Sequence, residues 1–310
     1  MKVLVLLSTY NGEVYIKEQL DSLYAQEGVD IYILVRDDGS KDNTVKILKN
    51  YQAIKGKMTI IEGENIGVGP SFFALIYEAA TRHSDFDYYA FSDQDDVWFN
   101  HKIETGVIAL EKSENKRKLF FSGAINTDGN LQPIASSCIR LVNSFGANLV
   151  SNYILGCTML MNGALLQEIN KINTITYSIP DGIVPIHDAW AAFVAYTLNA
   201  DVIQNPSGLL CYRQHGHNTI GAGHGFWSIQ MNRVKRYLGD VTHEKSNKCI
   251  MALQLFGDEI PYQNRELLQK VANYRNHFKS KLCLIFDKRI YEYGVIENMG
   301  AFLTILFNKF

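Results

Sequence analysis

The sequence predicts an α/β fold, with a mostly parallel central sheet and helices on both of its faces. The first observation is that residues 2–8 and 31–37 are continuous apolar runs of strand length, as in strands that are buried on both faces. The second is that stretches with apolar residues at helical spacing separate such runs, and this alternation is typical of parallel sheets. The third is that 310 residues, 47% of them hydrophobic, are enough for a sizeable core.

The first half of the chain repeats this strand–helix unit. After the first strand, residues 13–27 carry Ile16, Leu20 and Leu23 at helical spacing. The next predicted elements are a helix at 42–54, a strand at 58–63, a helix opened by Gly69-Pro70-Ser71, a strand at 86–93, a helix at 100–112 and a strand at 118–126. Proline fits at a helix start because the first turn has no backbone hydrogen bond to lose there.

The second half is less regular. We predict a strand at 153–162, a buried helix at 187–200 and a strand at 208–215. The rest is mostly helical in pattern, with amphipathic stretches at 226–238, 245–256 and 262–278 and an apolar end at 298–310. We therefore divide the chain into an α/β domain, 1–220, and a mostly helical C-terminal region, 221–310.

Composition argues against several classes of protein. A formal net charge of −2 gives no electrostatic footprint for nucleic acid, so we expect no nucleic-acid partner. The five cysteines are scattered and odd in number, which argues against a disulfide framework or a zinc site and favours a reducing, cytoplasmic setting. No apolar stretch reaches the length of about 18 residues that a membrane span needs, and the apolar start is too short for a signal peptide.

Polar side chains follow the predicted strands at the point where each strand ends. Asp93, Asp95 and Asp96 lie directly after a strand that should be buried. The other groups are Ser8-Thr9-Tyr10-Asn11, Asp37-Asp38-Gly39-Ser40 and Glu64-Asn65. In an open α/β sheet such ends meet at one crevice, where ligands bind. Each group alone can be a turn or a helix cap, but carboxylates gathered this closely need a cation or hydrogen-bond donors to offset their repulsion.

Four of these segments also match a known family in order and wording: "STYNGEVYIKEQLDSL", "RDDGSKDNT", "ENIGVGPSF" and "SDQDDVW". Together they resemble the nucleotide-sugar domain of family 2 glycosyltransferases, over roughly residues 1 to 220. The segments "SDQDDVW", "HDAW" and "YRQHGHNTIGA" are most similar to rhamnosyltransferase-type enzymes of bacterial surface polysaccharide synthesis. The resemblance implies the GT-A fold and transfer of a sugar from a nucleoside-diphosphate donor.

The resemblance implies that several residues bind the nucleotide-sugar. Thr9 and Tyr10 would line the nucleoside pocket, and Asn65 would lie beside the nucleotide-sugar. Either Asp37 or Asp38 would accept a hydrogen bond from the base. The donor expected from the resemblance is a UDP- or dTDP-sugar, and the rhamnosyltransferase-like segments favour rhamnose on dTDP.

The resemblance also implies a divalent metal ion, Mg²⁺ or Mn²⁺. Asp93 would face the ribose and Asp95 would bind the ion, since hard cations that carry a diphosphate prefer oxygen ligands. His215 is a further candidate metal ligand. Arg213 or Asn218 is the alternative, as a contact to phosphate, and the glycines at 221, 223 and 225 suggest a mobile lid.

Inverting transfer needs a carboxylate that takes the proton of the acceptor hydroxyl. The resemblance assigns this base to Asp188, which follows His187 just before an apolar helix. The alternative is that Asp188 only caps that helix. Trp190, on the same helix, is either a core residue or a platform for the acceptor sugar.

Other functions and partners stay open at this point. A Rossmann dehydrogenase and a P-loop enzyme are excluded because neither glycine motif occurs, whereas a nucleotidyltransferase or a non-catalytic carbohydrate-binding relative remains an alternative. The expected acceptor is a saccharide or a lipid-linked saccharide. Aromatic and basic residues of the C-terminal region, among them Phe302, Phe307 and Lys309, suit peripheral contact at the inner face of the membrane or simple helix packing.

Overall fold

The computed structural model describes residues 1–136, 144–150, 154–174, 185–215, 244–292 and 295–310. These residues contain nine strands: β1 (Lys2–Thr9), β2 (Asp30–Asp37), β3 (Met58–Glu62), β4 (Tyr88–Ser92), β5 (Val97–Trp98), β6 (Lys118–Thr127), β7 (Pro133–Ser136), β8 (Met159–Asn162) and β9 (Asp201–Arg213). The same residues contain eleven α-helices: α1 (Ile16–Tyr24), α2 (Thr44–Lys55), α3 (Val68–Arg82), α4 (Lys102–Glu111), α5 (Phe145–Val150), α6 (Gly163–Asn170), α7 (His187–Thr197), α8 (Glu244–Phe256), α9 (Tyr262–Asn273), α10 (Phe278–Ile285) and α11 (Val295–Leu306).

The strands form one sheet in the order β3-β2-β1-β4-β8-β6-β9-β5, with β7 beside β6. The neighbours from β3 to β4 all pair in parallel, as do β6 and β9. The strands β5, β7 and β8 pair antiparallel with their neighbours. The predicted α/β class is confirmed. The predicted parallel pairing holds for β3, β2, β1 and β4, the four strands that the polar segments follow.

Helices cover both faces of this sheet, as predicted. Alternate residues of β1 enter two separate cores: Val3 and Val5 pack in the core of α1 and α4, whereas Leu4 and Leu6 pack in the core of α3, α6 and α7. Successive side chains of a strand point to opposite faces, so a strand covered on both sides must be apolar at every position. This explains the continuous apolar run at 2–8.

The four C-terminal helices extend the core of α3, α6 and α7. Phe256 at the end of α8 stacks on Trp190 of α7, with 6.5 Å between the ring centroids. Trp190 is fully buried and its Nε1 donates to the carbonyl of Ile169, so it is a core residue and not a platform for a sugar. The division proposed near residue 220 falls outside the described residues and stays a prediction.

Three predicted elements differ from the structure. The strand expected at 208–215 is β9, which begins seven residues earlier, at Asp201, and ends at Arg213. The strand expected at 153–162 is confined to β8, because residues 156–158 form a 3₁₀ turn in which the N–H of Gly156 donates to Asp188. The helix expected at 262–278 ends at Asn273 and α10 begins only at Phe278. Asn273 donates its side-chain amide to a carbonyl of its own helix, a competition that makes asparagine a poor helix continuer.

Among the described helices, none has the length and apolar character that crossing a bilayer requires.

Candidate active site

The register of the sheet brings the polar strand ends to one edge. Thr9 pairs with Asp37, Asp37 pairs with Glu62, and Leu7 pairs with Ser92. The residues that follow β1, β2, β3 and β4 therefore leave the sheet at nearly the same height. The predicted convergence of these segments on one crevice is present in the structure.

Asp37 organises the loop after β2. Its two oxygens accept hydrogen bonds from Thr9 Oγ1 at 2.9 Å, from Ser40 Oγ at 2.6 Å and from the backbone N–H groups of Gly39 and Ser40. A carboxylate offers about four lone-pair sites. All the acceptor capacity of Asp37 is thus used within the chain.

Asp38 connects the loops after β2 and β3. Its Oδ1 pairs with the buried guanidinium of Arg36 and accepts from the N–H of Ile66, and its Oδ2 accepts from the N–H of Gly67 at 2.8 Å. These three donors leave Asp38 one acceptor site on Oδ2. Asn65 lies in the same loop and is exposed.

Gln94 joins the loop after β4 to the loop after β1. Its side-chain amide accepts from the N–H of Tyr10 at 2.9 Å and donates to the carbonyl of Tyr10 at 3.1 Å. A Cβ at Gly12 would lie 2.3 Å from Gln94 Oε1, so a larger residue at this position would displace the side-chain amide of Gln94. The two hydrogen bonds from Gln94 fix the backbone of Tyr10, whereas the aromatic ring of Tyr10 stays exposed.

Three acidic or thiol groups meet below the crevice. One potential ligand atom from each of Asp93, Asp96 and Cys157 lies within 4.8 Å of the others. Burial, followed by the charges of Asp95 and Asp188, raises the pKa of Asp93 to about 7. Burial and the charge of Asp93 raise the pKa of Asp96 well above its usual range, and burial and the charges of Asp96 and Asp93 do the same for the pKa of the Cys157 thiol.

A buried lysine lies under the same group. Lys102 at the start of α4 is 2% exposed, and its Nζ is 3.5 Å from the centroid of the Trp98 ring. Burial lowers the pKa of Lys102 to about 7, although the charges of Cys157 and Asp96 act in the opposite direction. A lysine with this pKa is only partly protonated near neutral pH, so Lys102 balances the charge of Asp93 and Asp96 only weakly.

Asp95 and His215 lie side by side at the crevice, with 2.8 Å between His215 Nε2 and Asp95 Oδ2. The buried guanidinium of Arg213 holds the backbone of this loop, since its Nε donates to the carbonyl of Asp95 at 2.8 Å. The other nitrogens of Arg213 donate to Glu18 and to the carbonyl of Gly129. Arg213 thus ties the end of β9 to the loop that carries Asp95.

Asp188 enters the site from the first turn of α7. Its Oδ2 accepts from the N–H of Gly156 at 3.2 Å, and its Oδ1 contacts the N–H of Ala189. The preceding residue, His187, is buried and stacks on Phe72 with 3.7 Å between the ring centroids. Burial lowers the pKa of His187 to about 4, so this imidazole is neutral at physiological pH.

The residues at this edge fit a divalent cation. Asp96 is fully buried, and among the described residues neither of its carboxylate oxygens has a hydrogen-bond partner. A buried carboxylate without donors is stabilised by a nearby positive charge, and oxygen ligands suit Mg²⁺ and Mn²⁺. Asp93 and Asp95 precede Asp96 in the same loop and are less buried than Asp96, so their carboxylates are the more accessible ones for such an ion.

The structure brings together most of the residues that the sequence nominated. Thr9 bonds Asp37, Asp95 pairs with His215, and Asp188 is close enough to Asp93 for its charge to raise the pKa of Asp93. Asn218 and the three lid glycines lie outside the described residues.

Sequence reasoning missed Cys157 and two sets of contacts. The bonds of Gln94 to Tyr10 and those of Arg213 to its three partners were not predicted. Gln94 had a weak signal, since it lies inside the acidic segment. Cys157 had none, because it is brought to Asp96 only by the turn before β8.

Comparison with known proteins supports the family resemblance. Residues 4–146 match the family described as Glycosyl transferase family 2. The chain is 29% identical over 248 residues to the dTDP-rhamnosyl transferase RfbG of Shigella flexneri, which covers 76% of this chain and 82% of that protein. It is 30% identical over 196 residues to an uncharacterized glycosyltransferase of Rickettsia conorii, of which it spans only 30%.

Two solved structures share the fold. The Staphylococcus aureus TarS fragment 1–349, in complex with UDP-GlcNAc, is 17% identical with a TM-score of 0.56, and the match covers 98% of this chain and 90% of that fragment. A mannosyltransferase from Pyrobaculum calidifontis, in complex with GDP-Man and Mn²⁺, is 16% identical with a TM-score of 0.54 and coverages of 98% and 80%. At these identities the likeness concerns the fold alone.

Proposed function

This chain belongs to the family 2 glycosyltransferases and has the GT-A fold, and from this premise we propose an inverting, divalent-metal-dependent sugar transfer as its reaction. The proposed donor is a nucleoside-diphosphate sugar, dTDP-rhamnose first, because a relative that aligns with 76% of this chain is named a dTDP-rhamnosyl transferase. The proposed acceptor is a saccharide or a lipid-linked saccharide of bacterial surface polysaccharide synthesis.

One observation carries the mechanism: carboxylates from two different elements come close together at this edge of the sheet. Asp93 and Asp95 arrive from the end of β4, with Asp96 buried below them, and Asp188 arrives from the start of α7. The charge of Asp188 contributes to the raised pKa of Asp93, so the two lie within electrostatic reach. A base on one side and a site for the leaving diphosphate on the other is the arrangement that inversion requires.

Asp188 is the proposed base. Its carboxylate takes the proton of the acceptor hydroxyl while that oxygen forms a bond to the anomeric carbon, and the bond from this carbon to the diphosphate oxygen breaks with its electron pair. The N–H of Gly156 and the first turn of α7 orient the carboxylate. His187, the preceding residue, is neutral at physiological pH and therefore forms no ion pair with the Asp188 carboxylate.

Asp93 and Asp95 would hold Mg²⁺ or Mn²⁺, with Asp96 buried behind them and His215 beside Asp95. When bound, such an ion neutralises charge on the departing nucleoside diphosphate. Arg213 keeps the backbone of Asp95 in place.

The nucleotide pocket is proposed at the loops after β1 and β2. Of the two candidates for the base contact, Asp38 retains one free acceptor site, whereas the sites of Asp37 are all occupied by Thr9, Gly39 and Ser40. This supports Asp38 as the residue that accepts from the base. The exposed ring of Tyr10 is available to pack on the nucleoside.

The test is a panel of dTDP-rhamnose, UDP-GlcNAc and GDP-mannose, assayed for Mn²⁺-dependent hydrolysis and transfer. We expect dTDP-rhamnose to be turned over fastest. Replacing Asp188 by Asn keeps the size of the side chain but removes the base, so turnover should fall by about 10²–10⁴-fold with nucleotide affinity nearly unchanged. Asp85→Asn, an exposed carboxylate before β4 at the opposite edge of the sheet, is the matched control.

A second variant separates metal binding from catalysis. Asp95→Ala should weaken nucleoside-diphosphate binding, measured by calorimetry, when Mn²⁺ is present and change little without it. Substantial sugar transfer by Asp188→Asn would contradict the assignment of Asp188 as the base. Nucleotide affinity that is the same with and without Mn²⁺ would contradict the proposed metal dependence. Formation of a nucleoside-diphosphate sugar from a sugar phosphate and a nucleoside triphosphate, with release of inorganic pyrophosphate from the triphosphate, would instead point to a nucleotidyltransferase.

A further inference from the structure

The last helix of the chain is apolar on the face that it exposes. Five residues of α11 and its end, at spacings of three and four, are exposed: Met299, Phe302, Leu303, Leu306 and Phe307. The opposite side of the helix, with Ala301 and Ile305, is buried in the core. A surface helix normally turns polar residues outward, so the outward stripe needs a separate explanation.

The neighbouring helix α10 repeats the pattern. Phe278 is 74% exposed and Phe286 just after the helix is 78% exposed, with Leu282 between them. Leu284 and Ile285 face the core. Each of the three exposed residues is one helical turn from the next, so they also form a stripe.

The two helices are in contact with each other. Lys281 Nζ in the middle of α10 donates to the carbonyl of Leu306 at the end of α11, at 3.1 Å. Leu282 follows Lys281 in sequence and Phe307 follows Leu306, and both of these apolar residues are exposed. The two stripes therefore border one seam, and we call this surface the α10–α11 face, defined by Phe278, Leu282, Phe286, Met299, Phe302, Leu303, Leu306 and Phe307.

The charge around this face is positive, unlike that of the whole chain. Residues 275–310 contain six Lys or Arg against three Asp or Glu, a net charge of +3, whereas the chain as a whole carries −2. Of the three acidic residues, Asp287 pairs with Arg289, which is one of the six cations, and Glu297 is buried. Lys279 and Lys288 are exposed.

We propose that the α10–α11 face docks on the surface of an anionic lipid bilayer. Exposed aromatic and aliphatic side chains enter the headgroup–acyl boundary, and the flanking lysines attract anionic headgroups. A second copy of the chain fits less well, because two faces of the same positive charge repel each other. Docking of this face on a bilayer does not depend on whether Asp188 is the base or on which nucleoside-diphosphate sugar is the donor. A lipid-linked acceptor would lie at the same membrane surface.

The experiment is flotation of the full chain with vesicles of phosphatidylcholine alone and of phosphatidylcholine mixed with phosphatidylglycerol. We expect binding to the anionic vesicles, weakened by salt. The triple variant Phe278→Ser, Phe286→Ser and Phe307→Ser should reduce the partition coefficient by at least about tenfold, since burial of aromatic side chains provides the apolar part of interfacial binding. Lys279→Glu with Lys288→Glu should remove the preference for anionic vesicles.

Ile54→Ser with Ile108→Ser is the matched control, because both side chains are exposed on helices of the opposite core. It should bind vesicles like the unchanged chain. Equal binding by the triple variant, or a dimer in sedimentation that the triple variant dissolves, would overturn the proposal. Nucleoside-diphosphate affinity is measured in parallel, so a failure here remains distinct from a failure of the proposed transfer.

Discussion

The guanidinium of Arg213 is almost completely buried, although an arginine beside a predicted diphosphate site was a candidate to contact phosphate. It donates to Glu18 and to the carbonyls of Asp95 and Gly129, and it lies over the ring of Tyr15 at 4.4 Å. Removing a guanidinium from water is costly unless its N–H groups are paired. Arg213 therefore acts through the loop that carries Asp95.

His187 provides a pH-dependent test of the site. Its folded-state pKa of about 4 lies below the ordinary value of 6.5, because burial against Phe72 and Phe91 disfavours the charged ring. The unfolded state therefore binds more protons between these values, and the free energy of unfolding falls as the pH drops through this window. We expect His187 to account for about 2 kcal/mol of stability lost between pH 7 and pH 5.

The variant His187→Phe keeps the ring stack and removes the ionisable group, together with a buried Nδ1 that has no hydrogen-bond partner among the described residues. Urea denaturation at pH 7 and pH 5 should show a smaller loss of stability than in the unchanged chain. Exposed His101, replaced by Phe, is the control and should leave the pH dependence as it was. An equal loss in His187→Phe would show that other groups cause the acid sensitivity.

Site residues at the ends of the parallel strands could be predicted from the sequence, whereas residues brought in by tertiary contacts could not. Thr9, Asp37 and Asp95 were nominated because strand ends in a parallel sheet meet at one edge, a rule that needs only strand order. The choice between Asp37 and Asp38 needed the count of hydrogen-bond donors to each. The thiol of Cys157 needed the tertiary structure, since no spacing in the sequence links it to Asp96.

At the scale of elements, the strand–helix units of the first half were predicted closely, and the second half less so. The helix α7 and the strands β1, β2 and β3 lie within two or three residues of their predicted bounds. The turn at 156–158 was read as strand because its residues are apolar, but its N–H groups bond Asp188 and Leu155 instead of a neighbouring strand. Tertiary partners overrode local pattern there.

That turn supplies a prediction about the element that positions the base. A Cβ at Gly156 would lie 2.8 Å from His187 Nε2 and 3.2 Å from Asp188 Cβ, so Gly156→Ala must displace the start of α7. The contact with Asp188 requires a shift of a few tenths of an ångström, whereas a base moved by about 1 Å costs on the order of 10²-fold in rate. We expect the turnover number to fall by up to about that order, with nucleoside-diphosphate affinity nearly unchanged in calorimetry.

Gly163→Ala is the matched control for this change. It lies at the start of the neighbouring helix α6, and its nearest side-chain contact would be an ordinary 3.6 Å to Tyr89. Its turnover should equal that of the unchanged chain. If Gly156→Ala were as active as Gly163→Ala, the start of α7 would have to tolerate the shift, and the turn would have no part in orienting Asp188.

At the scale of the whole molecule, the catalytic layer and the C-terminal helices share apolar packing. Phe256 stacks on Trp190, and Asn264 donates to the carbonyls of Tyr196 and Thr197 at the end of α7. Arg117 before β6 pairs with Glu259 beyond α8. Although the sequence pattern separates an α/β part from a helical part, these contacts mean that α7, which carries Asp188, is supported from the C-terminal side.

This shared core predicts one cooperative unfolding transition for the described parts of the chain. Phe256→Ala leaves a cavity against Trp190 and should destabilise the protein by about 3–5 kcal/mol, the usual cost of such a truncation. In calorimetry and in near-UV circular dichroism the single transition should move to lower temperature as a whole. Phe286→Ala, an exposed phenylalanine of the same region, should move it little. A calorimetric trace of two transitions, of which Phe256→Ala shifts only one, would instead show that the C-terminal helices unfold as a unit of their own.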